Sequence, residues 1–371
     1  MDELFVEVTI EGEVLTDLLE SVLVEESDTQ TDMAMLTFGN SDLVLSDILH
    51  EGLTVEIDLG RQAVHAVIFR GIITGIRATF PTEGEPKVEV QAMDSLILLG
   101  FEPKTKRWWN KPISAIVLEI AGMNGLIPGM IQPTVDTLVD ESRPLQQIEE
   151  TDLAFLLRLA KEYDAKLSVA HFPVDTLNFV STRTLVNSPP IPDLLVWSAN
   201  LDDFTASFDS FATMSNLQVV TTEPLTGSRV AIPETPALMK EDLAAVAEAT
   251  WVPAPLRLAQ LGLGAIRMTK LIAKSTAKRA QLNKYWQDPP RVSGAASRLP
   301  IDLGETFGDW SRRLGQIGQG RAGGSISLRP RVNVLIEGCG GRWSGKWYLS
   351  EVKHQINTRQ RKYDCEFTCT R

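Results

Sequence analysis

The sequence contains few of the residues that most often carry catalysis or bind metals. Among 371 residues there are only four histidines, none close to another in sequence, and three cysteines. The cysteines are Cys339, Cys365 and Cys369. An odd number of cysteines without CxxC spacing predicts neither a disulfide framework nor a zinc site. The sequence therefore predicts no metal site, and reduced, buried thiols in a protein that folds in the cytoplasm.

Motifs for nucleotides and for nucleophilic catalysis are also missing. Gly262 and Gly264 are not followed by the third glycine of a dinucleotide fingerprint, and Lys274-Ser275 lacks the glycine of a P-loop. No histidine stands in a HExxH motif, and no nucleophile elbow is present. We therefore predict no cofactor and no enzymatic activity.

The chain has neither an excess of basic residues nor a long apolar run. Its formal net charge is -12, whereas a protein that binds the phosphate backbone of nucleic acids needs a basic surface. No stretch reaches about eighteen uninterrupted apolar residues, so we expect no transmembrane helix and no stable membrane insertion. The start, Met1-Asp2-Glu3-Leu4, lacks the basic and apolar regions of a signal peptide.

Short alternating segments dominate the first hundred residues and the tail of the chain. Alternation of apolar and polar residues predicts strands, and Gly, Asn and Asp between the strands are typical of a small antiparallel barrel. The predicted strands cover residues 5–10, 34–38, 54–59, 67–76, 87–92, 166–169, 176–180, 194–197, 204–209, 216–221, 331–337, 347–356 and 363–370. Gly71 and Gly75 indicate a tight bend or a bulge within 67–76. In the last strand, alternation places Cys365 and Cys369 in the core.

In two central segments the apolar residues recur with the period of a helix. A helix is predicted from Pro112 to Met123 with Asn110 as a possible cap, and a second from Asp152 to Tyr163, capped by Thr151 or Asp152. Apolar residues surround most of the second helix, which predicts that it is largely buried. The prolines of residues 188–192 indicate a boundary after this region.

Residues 231–322 differ from the rest because alanine, glycine and proline are frequent and strand alternation disappears. All charges between Leu256 and Trp286 are basic, on a weakly amphipathic helix. They include Arg267, Lys270, Lys274 and Lys278. This helix either has a solvated basic face or docks on an acidic neighbour. A third alternative, a role at a membrane surface, is disfavoured because Gly262 and Gly264 interrupt the apolar side. Another short helix is predicted from Glu305 to Gln319.

Two further pairs of residues are candidates for a site. Glu149 and Glu150 could form the acid–base pair of a glycosidase, but neighbours in sequence point in different directions, which favours a role at the helix N-terminus. Trp108 and Trp109 follow two basic residues, and we predict that one is in the core and the other in an interface. The predicted interface residues are therefore Trp108, Trp109, Arg267, Lys270, Lys274 and Lys278.

The predicted fold is α+β and mainly β, with two antiparallel β-barrel-like domains. The first barrel is predicted for residues 1–105, a helical α+β domain for 106–190, the second barrel for 191–230 with 323–371, and a helical insertion for 231–322. This division agrees with a chain length that predicts two or three domains.

The run from Pro144 to Tyr163 resembles the signature of the phage late control D family, the hub proteins of contractile tails. The family carries a glutamine, an acidic-Thr-Asp cap and Phe-Leu-x-Arg-Leu-Ala-x-Glu, all present here, although Asp164-Ala165 replaces the usual glycine turn. Its fold is shared by the N-terminal part of VgrG spikes. Residues 69–74 with 92–95, 201–208 with 219–221, 345–354 and 363–371 are similar to further family segments in the same order.

The resemblance implies a structural subunit of a phage tail or injection particle that is assembled in the bacterial cytoplasm. It implies a homotrimer whose two barrels per chain adapt a hexameric inner tube to a trimeric spike, with baseplate wedge or sheath-adaptor proteins as further partners. No spike-like repeat follows the closing strand, so the spike is expected to be a separate protein. Two alternatives stay open: a peptidoglycan hydrolase of a tail tip, and a type VI-like spike or effector-loading module.

Overall fold

The computed structural model describes most of the chain outside the region between residues 209 and 315. The described residues are 4–61, 63–133, 136, 138–141, 144–171, 174–208 and 316–371, together with the backbone of strands at 218–222, 229–231 and 291–293. The fold is mainly β with few helices, as predicted. None of the helices in these ranges is both long and apolar enough to span a membrane.

Seven strands and a short helix form the first region. The strands are β1 (Leu4–Ile10), β2 (Glu13–Val14), β3 (Leu19–Ser27), β4 (Met33–Gly39), β5 (Thr54–Arg61), β6 (Val64–Thr79) and β7 (Lys87–Asp94). Helix α1 is Val44–Ile48, and 3₁₀ turns lie at Thr16–Leu18 and Ser95–Gly100. Strand β6 runs without a turn, so the bend considered at Gly71 is absent; a register shift against β7 lies between Ile73 and Gly75. Gly71 is required instead because a Cβ there would lie 2.2 Å from the carbonyl oxygen of Met93.

The central region combines helices with two small sheets. Its elements are β8 (Pro103–Trp108), α2 (Ile113–Met123), β9 (Ile127–Gln132), β10 (Leu145–Thr151), α3 (Asp152–Glu162), β11 (Ala165–Ala170), β12 (Thr176–Ser181) and α4 (Thr182–Asn187). Both predicted helices are present, whereas β8, β9 and β10 were not predicted. The Thr151 hydroxyl caps α3 by accepting from the Ala154 amide, but Asn110 caps nothing, since Pro112 precedes α2. Asp164 occupies the usual glycine position with φ 44°.

The last region returns to strands. They are β13 (Pro190–Val196), β14 (Leu201–Phe208), β15 (Gln218–Thr222), β16 (Arg229–Ala231), β17 (Arg291–Ser293), β18 (Gln316–Gly323), β19 (Asn333–Glu337), β20 (Gly345–Asn357) and β21 (Lys362–Thr370). Pro190 and Pro192 lie in strand β13, which among the described strands pairs only with β19 and so lies at an edge where a missing N–H is tolerated. The helix predicted up to Gln319 is wrong at its C-terminal end, where β18 begins.

One curled, mainly antiparallel sheet joins the two ends of the chain. Its order is β14-β18-β21-β20-β3-β4-β7-β6-β5-β1-β2, with β19 and β13 attached beside β20. Within it, β3, β4, β6 and β7 form what we call the first repeat, and β14, β18, β20 and β21 the second repeat. In both, the fourth strand in the chain lies between the second and the third. The two repeats therefore share one topology and lie side by side.

Three hydrophobic clusters underlie this arrangement. One lies beneath the first repeat, one within the central region and one beneath the second repeat. Ile356 belongs to β20 but packs in the first of these cores, so the two repeats are joined by packing as well as by hydrogen bonds. The domain boundaries given above stay predictions.

Candidate functional site

The seam between the two repeats is where β20 pairs with β3. Seven residue pairs match in antiparallel register, from Glu351 opposite Ser27 to Asn357 opposite Ser21. On the outer face of the seam, Lys353 Nζ lies 2.6 Å from Glu25 Oε1, and both side chains are partly exposed. The inner face is different, because polar side chains there are enclosed by the cores of both repeats.

A buried ionic cluster occupies this inner face. Glu26 projects inward from β3 and is 2% exposed. Arg329, from the loop between β18 and β19, donates from Nε to Glu26 Oε1 at 2.9 Å and from a second nitrogen to the same oxygen. His354 Nε2 lies 3.2 Å from the other carboxylate oxygen. Burial alone would raise the pKa of Glu26, but the two cationic partners outweigh it and lower the pKa to about 2.

His354 is the second centre of the cluster. Its Nδ1 lies 2.8 Å from the Tyr363 hydroxyl and 3.3 Å from Cys365 Sγ. Burial opposes a charged imidazole, but the Cys365 sulfur and the Glu26 carboxylate favour it and raise the pKa of His354 to about 9. At neutral pH the seam therefore encloses an imidazolium and a guanidinium around one carboxylate.

The turn between β3 and β4 extends the cluster to all three regions. Asp28 lies 2.9 Å from Lys166 Nζ of the central region and accepts from the Tyr348 hydroxyl of the second repeat at 3.1 Å. Arg331 donates to the Ser27 carbonyl at 2.6 Å and approaches Asp32 at 3.4 Å. The acidic turn is thus a common anchor for the first repeat, the central region and the second repeat.

Asp32 is itself held by a second buried carboxyl group. Its amide donates to Asp94 Oδ2 at 3.2 Å, and Asp94 Oδ1 accepts from the Leu96 amide. Burial and the neighbouring Asp32 raise the pKa of Asp94 to about 8. Asp94 is therefore mainly protonated at neutral pH, which avoids two adjacent buried negative charges.

The side chains of Cys365, His354 and Glu26 follow the nucleophile, base and acid order of a cysteine hydrolase. Cys365 and His354 are fully buried, however, and Glu26 is nearly so. A reacting carbonyl has to approach the sulfur to about 3–3.5 Å, and enclosed sulfur does not permit this approach. The chemistry that the cluster supports is therefore charge pairing between segments of the fold.

The two predicted tryptophans divide as expected in burial. Trp108 is 2% exposed in the central core, where the Lys106 ammonium lies 3.7 Å from its ring centroid. It offers no surface to a partner, which corrects its place among the predicted interface residues. Trp109 is 43% exposed, and its interface role stays a prediction. Arg267, Lys270, Lys274 and Lys278 lie outside the described residues.

The remaining candidates do not assemble into a catalytic site. Glu150 is held by Arg158 at 2.9 Å, and Glu149 has a φ of 47° at a register shift between β10 and β8. His50 and His65 are exposed, and His171 is buried beside Asp175 at 3.2 Å. Within the described ranges no group of His, Cys, Asp and Glu side chains is arranged to hold a metal ion.

Sequence reasoning missed most of the buried cluster. The sequence analysis singled out none of Glu26, Asp32, Arg329 and Arg331, because their partners lie about 300 residues away in the chain. One signal was available: Glu26 stands two residues after Val24, at an inward position of β3. A charged residue at such a position predicts a buried partner.

The comparisons with known proteins agree with the predicted resemblance. Residues 32–211 match the model of the family described as "Phage tail baseplate hub (GPD)", and the resemblance is confirmed. None of the curated protein sequences matches the chain.

Several solved structures have a similar fold. The tail protein from Neisseria meningitidis MC58 aligns with a TM-score of 0.64 and 12% identity, over 100% of this chain and 97% of that chain. The 43 kDa tail protein of prophage MuSo2 from Shewanella oneidensis gives 0.61 and 10%, over 100% and 97%. A chain of the Francisella PdpA–VgrG complex gives 0.54 and 10%, over 100% and 53%. At these identities the likeness shows the fold alone.

Proposed function

Because residues 32–211 match the model of the phage tail baseplate hub family, we propose that this chain is the structural hub subunit of a contractile tail or injection system. Three copies form a ring that adapts a hexameric inner tube to a trimeric spike. The subunit works by assembly and carries out no reaction. Its further partners are baseplate wedge or sheath-adaptor proteins.

The observation that carries this proposal is the repeated topology within one sheet. Two four-stranded repeats with the same strand order lie side by side in each chain. Three chains with two repeats each supply six similar surfaces, which is what a sixfold tube requires of a threefold ring. A ring of this kind transmits force between tube and spike, so its two repeats must not move apart within a chain.

The buried seam meets this requirement. Glu26, Arg329 and His354 tie the repeats together, and Asp28 with Lys166 ties the central region to both. Removing one partner of a buried ion pair costs about 3–5 kcal/mol, so sliding of one repeat against the other is strongly opposed. The cluster therefore supports a rigid hub rather than a hinged one.

Mass measurement in solution tests the proposal. Sedimentation equilibrium at tens of micromolar is expected to give three times the chain mass of 40.9 kDa, alone or with the inner tube protein of the same particle. Rings seen by electron microscopy with that tube protein would support the hub. A mass that stays monomeric under both conditions would refute it. Release of peptidoglycan fragments by the purified chain would favour the hydrolase alternative instead.

A further inference from the structure

Two stretches of strand backbone lie at open edges of the main sheet. Strand β14 pairs with β18 on one side, and no described strand pairs with its other side. On β6, pairing with β5 ends near Ile73, while pairing with β7 continues to Thr79. Within the described residues, 74–79 therefore has one unpaired side. These open edges belong to the first strand of the second repeat and the third strand of the first repeat.

The two repeats can be aligned residue by residue through their irregularities. Register shifts lie between Leu19 and Ser21 in β3 and between Leu201 and Asp203 in β14. Matching them makes Ala206 the equivalent of Val24, since each lies five residues further along its strand.

A second pair of irregularities gives the same alignment. Register shifts follow Ile73 in β6 and Leu349 in β20. Across the first repeat, Ile73 is paired with Ala92, Ala92 with Ala34, and Ala34 with Val24. Across the second repeat, Leu349 is paired with Cys369, Cys369 with Gly318, and Gly318 with Ala206. The same two residues are thus paired by an independent route.

The sequences of the third strands agree with this alignment. Residues 72–77 read Ile-Ile-Thr-Gly-Ile-Arg, and residues 348–353 read Tyr-Leu-Ser-Glu-Val-Lys. Two apolar residues, a hydroxyl, a variable position, a β-branched residue and a basic residue occur in the same order. Arg77 is therefore equivalent to Lys353, and Ala78 to His354.

From this equivalence we infer that the seam between β20 and β3 is repeated between copies of the chain, with β6 of one copy paired to β14 of the next. This inference rests on the proposed trimer and names the strands that close it. Within a chain, His354 lies opposite Val24 and Lys353 opposite Glu25. Between copies, the equivalent pairs are Ala78 with Ala206 and Arg77 with Ser207.

An exposed phenylalanine supports this pairing. Ile356 of β20 lies opposite Val22 and is buried in the core of the first repeat. Its equivalent is Phe80, which directly follows β6 and is 60% exposed. In the pairing between copies, Phe80 lies opposite Phe204 and packs against the second repeat of the next copy. An aromatic side chain that is exposed in one chain thus gains an apolar site in the ring.

The two seams also differ in charge, and this difference determines which strands pair with each other in the ring. The equivalents of His354 and Glu26 are Ala78 and Phe208, so the seam between copies is apolar where the seam within a chain is charged. If β20 of one copy paired with β14 of another, His354 would be buried opposite apolar side chains without a carboxylate. The imidazole would have to give up its proton and its contact with Glu26, which is unfavourable. The ring therefore alternates the two kinds of seam.

Disulfide trapping tests the register. In a Cys339→Ser background, Arg77→Cys with Ser207→Cys is expected to give covalent dimers and trimers under mild oxidation, because the two positions face each other across the seam. Arg77→Cys with Asp203→Cys is the matched control, since Asp203 lies on the same face but four residues, or about 13 Å, out of register. Cross-linking of the control alone would overturn the inferred register.

The outcomes separate this inference from the proposed function. A trimeric mass without cross-linking of Arg77→Cys with Ser207→Cys would leave the hub in place and refute the seam. A monomeric mass with and without tube protein would refute both.

Phe80 gives a second test that does not depend on oxidation. Phe80→Asp is expected to raise the dissociation constant of the trimer at least tenfold and to leave the unfolding of the dissociated chain unchanged, because the side chain is exposed there. Phe101→Asp is the control, since Phe101 is 69% exposed but lies outside both repeats. Equal effects of the two substitutions on the trimer would contradict the role of Phe80.

Discussion

Replacing Glu26 by glutamine removes the one carboxylate that Arg329 and His354 share. The substitution keeps the size of the side chain but leaves the Arg329 guanidinium inside the seam without its counter-charge, and it removes a carboxylate that favours the charged form of His354. Loss of one partner from a buried pair costs about 3–5 kcal/mol. The pKa of Glu26 gives a similar magnitude, because its fall from 4.5 to about 2 corresponds to about 3 kcal/mol.

The pH dependence of stability identifies the cluster more specifically. The pKa of Glu26 is depressed in the folded chain, so its contribution is present above about pH 4.5 and lost as the pH falls towards 2. The pKa of His354 is raised from 6.5 to about 9, so its contribution is present below about pH 6.5 and lost as the pH rises through 9. Both pKa shifts report the interaction between Glu26 and His354, so the two contributions to the free energy of unfolding are not added together.

Urea unfolding followed by tryptophan fluorescence measures both effects, since Trp347 is buried in the core of the second repeat. The wild-type chain is expected to lose stability between pH 6.5 and 9. In Glu26→Gln this decline is expected to be smaller, because the imidazolium has lost its carboxylate and the pKa of His354 falls. The free energy of unfolding at pH 6 is expected to be about 3–5 kcal/mol lower than in the wild type.

Glu25→Gln is the matched control. Glu25 is the neighbouring residue on β3, and its pair with Lys353 lies on the partly exposed outer face of the same seam. Such exposed pairs contribute about 0–1 kcal/mol. If Glu26→Gln cost no more than Glu25→Gln, or if it left the decline between pH 6.5 and 9 unchanged, the buried cluster would not join the repeats as argued.

Other substitutions test separate parts of the fold. Phe155→Ala, in the core of the central region, is expected to lower the free energy of unfolding by about 3–5 kcal/mol through cavity formation; a loss below about 1 kcal/mol in urea titration would contradict burial of its helix. Thr151→Ala is expected to cost about 1 kcal/mol in the same titration by removing the cap of that helix. Gly320→Val is expected to lower the melting temperature, since even a Cβ would lie 2.5 Å from the Phe367 ring. Trp109→Ala is expected to leave melting unchanged and to weaken assembly with partner proteins in sedimentation.

Much of the architecture follows from local periodicity. Strands such as β5 and β7 alternate apolar and polar residues, and their inward positions are buried as predicted. The cap of α3 and the inward orientation of Cys365 and Cys369 could also be predicted, because each depends on residues within a few positions of sequence. Local patterns of this kind specify single elements and not the order in which the strands pair.

Strand β18 shows why other elements could not be predicted. Its inward positions are Gly318, Gly320 and Ala322, which carry little or no side chain, so the apolar alternation of a strand is invisible. The space is filled by aromatic rings of neighbouring strands: a Cβ on Gly318 would lie 2.9 Å from Phe204, and one on Gly320 would lie 2.5 Å from Phe367. The glycines that indicate an irregular segment in the sequence are thus required by packing in the sheet.

The contrast between the two seams gives a physical reason for a buried charge cluster in a structural protein. In the proposed trimer, six similar repeats could pair in several orders, and apolar packing alone would not distinguish them strongly. The charged seam is satisfied only when β3 and β20 meet, because Glu26 is on one strand and His354 on the other. Buried ion pairs add little net stability compared with apolar packing, but they penalise wrong partners heavily. We therefore attribute to the cluster mainly the specificity of pairing, by which β3 and β20 of one chain pair with each other.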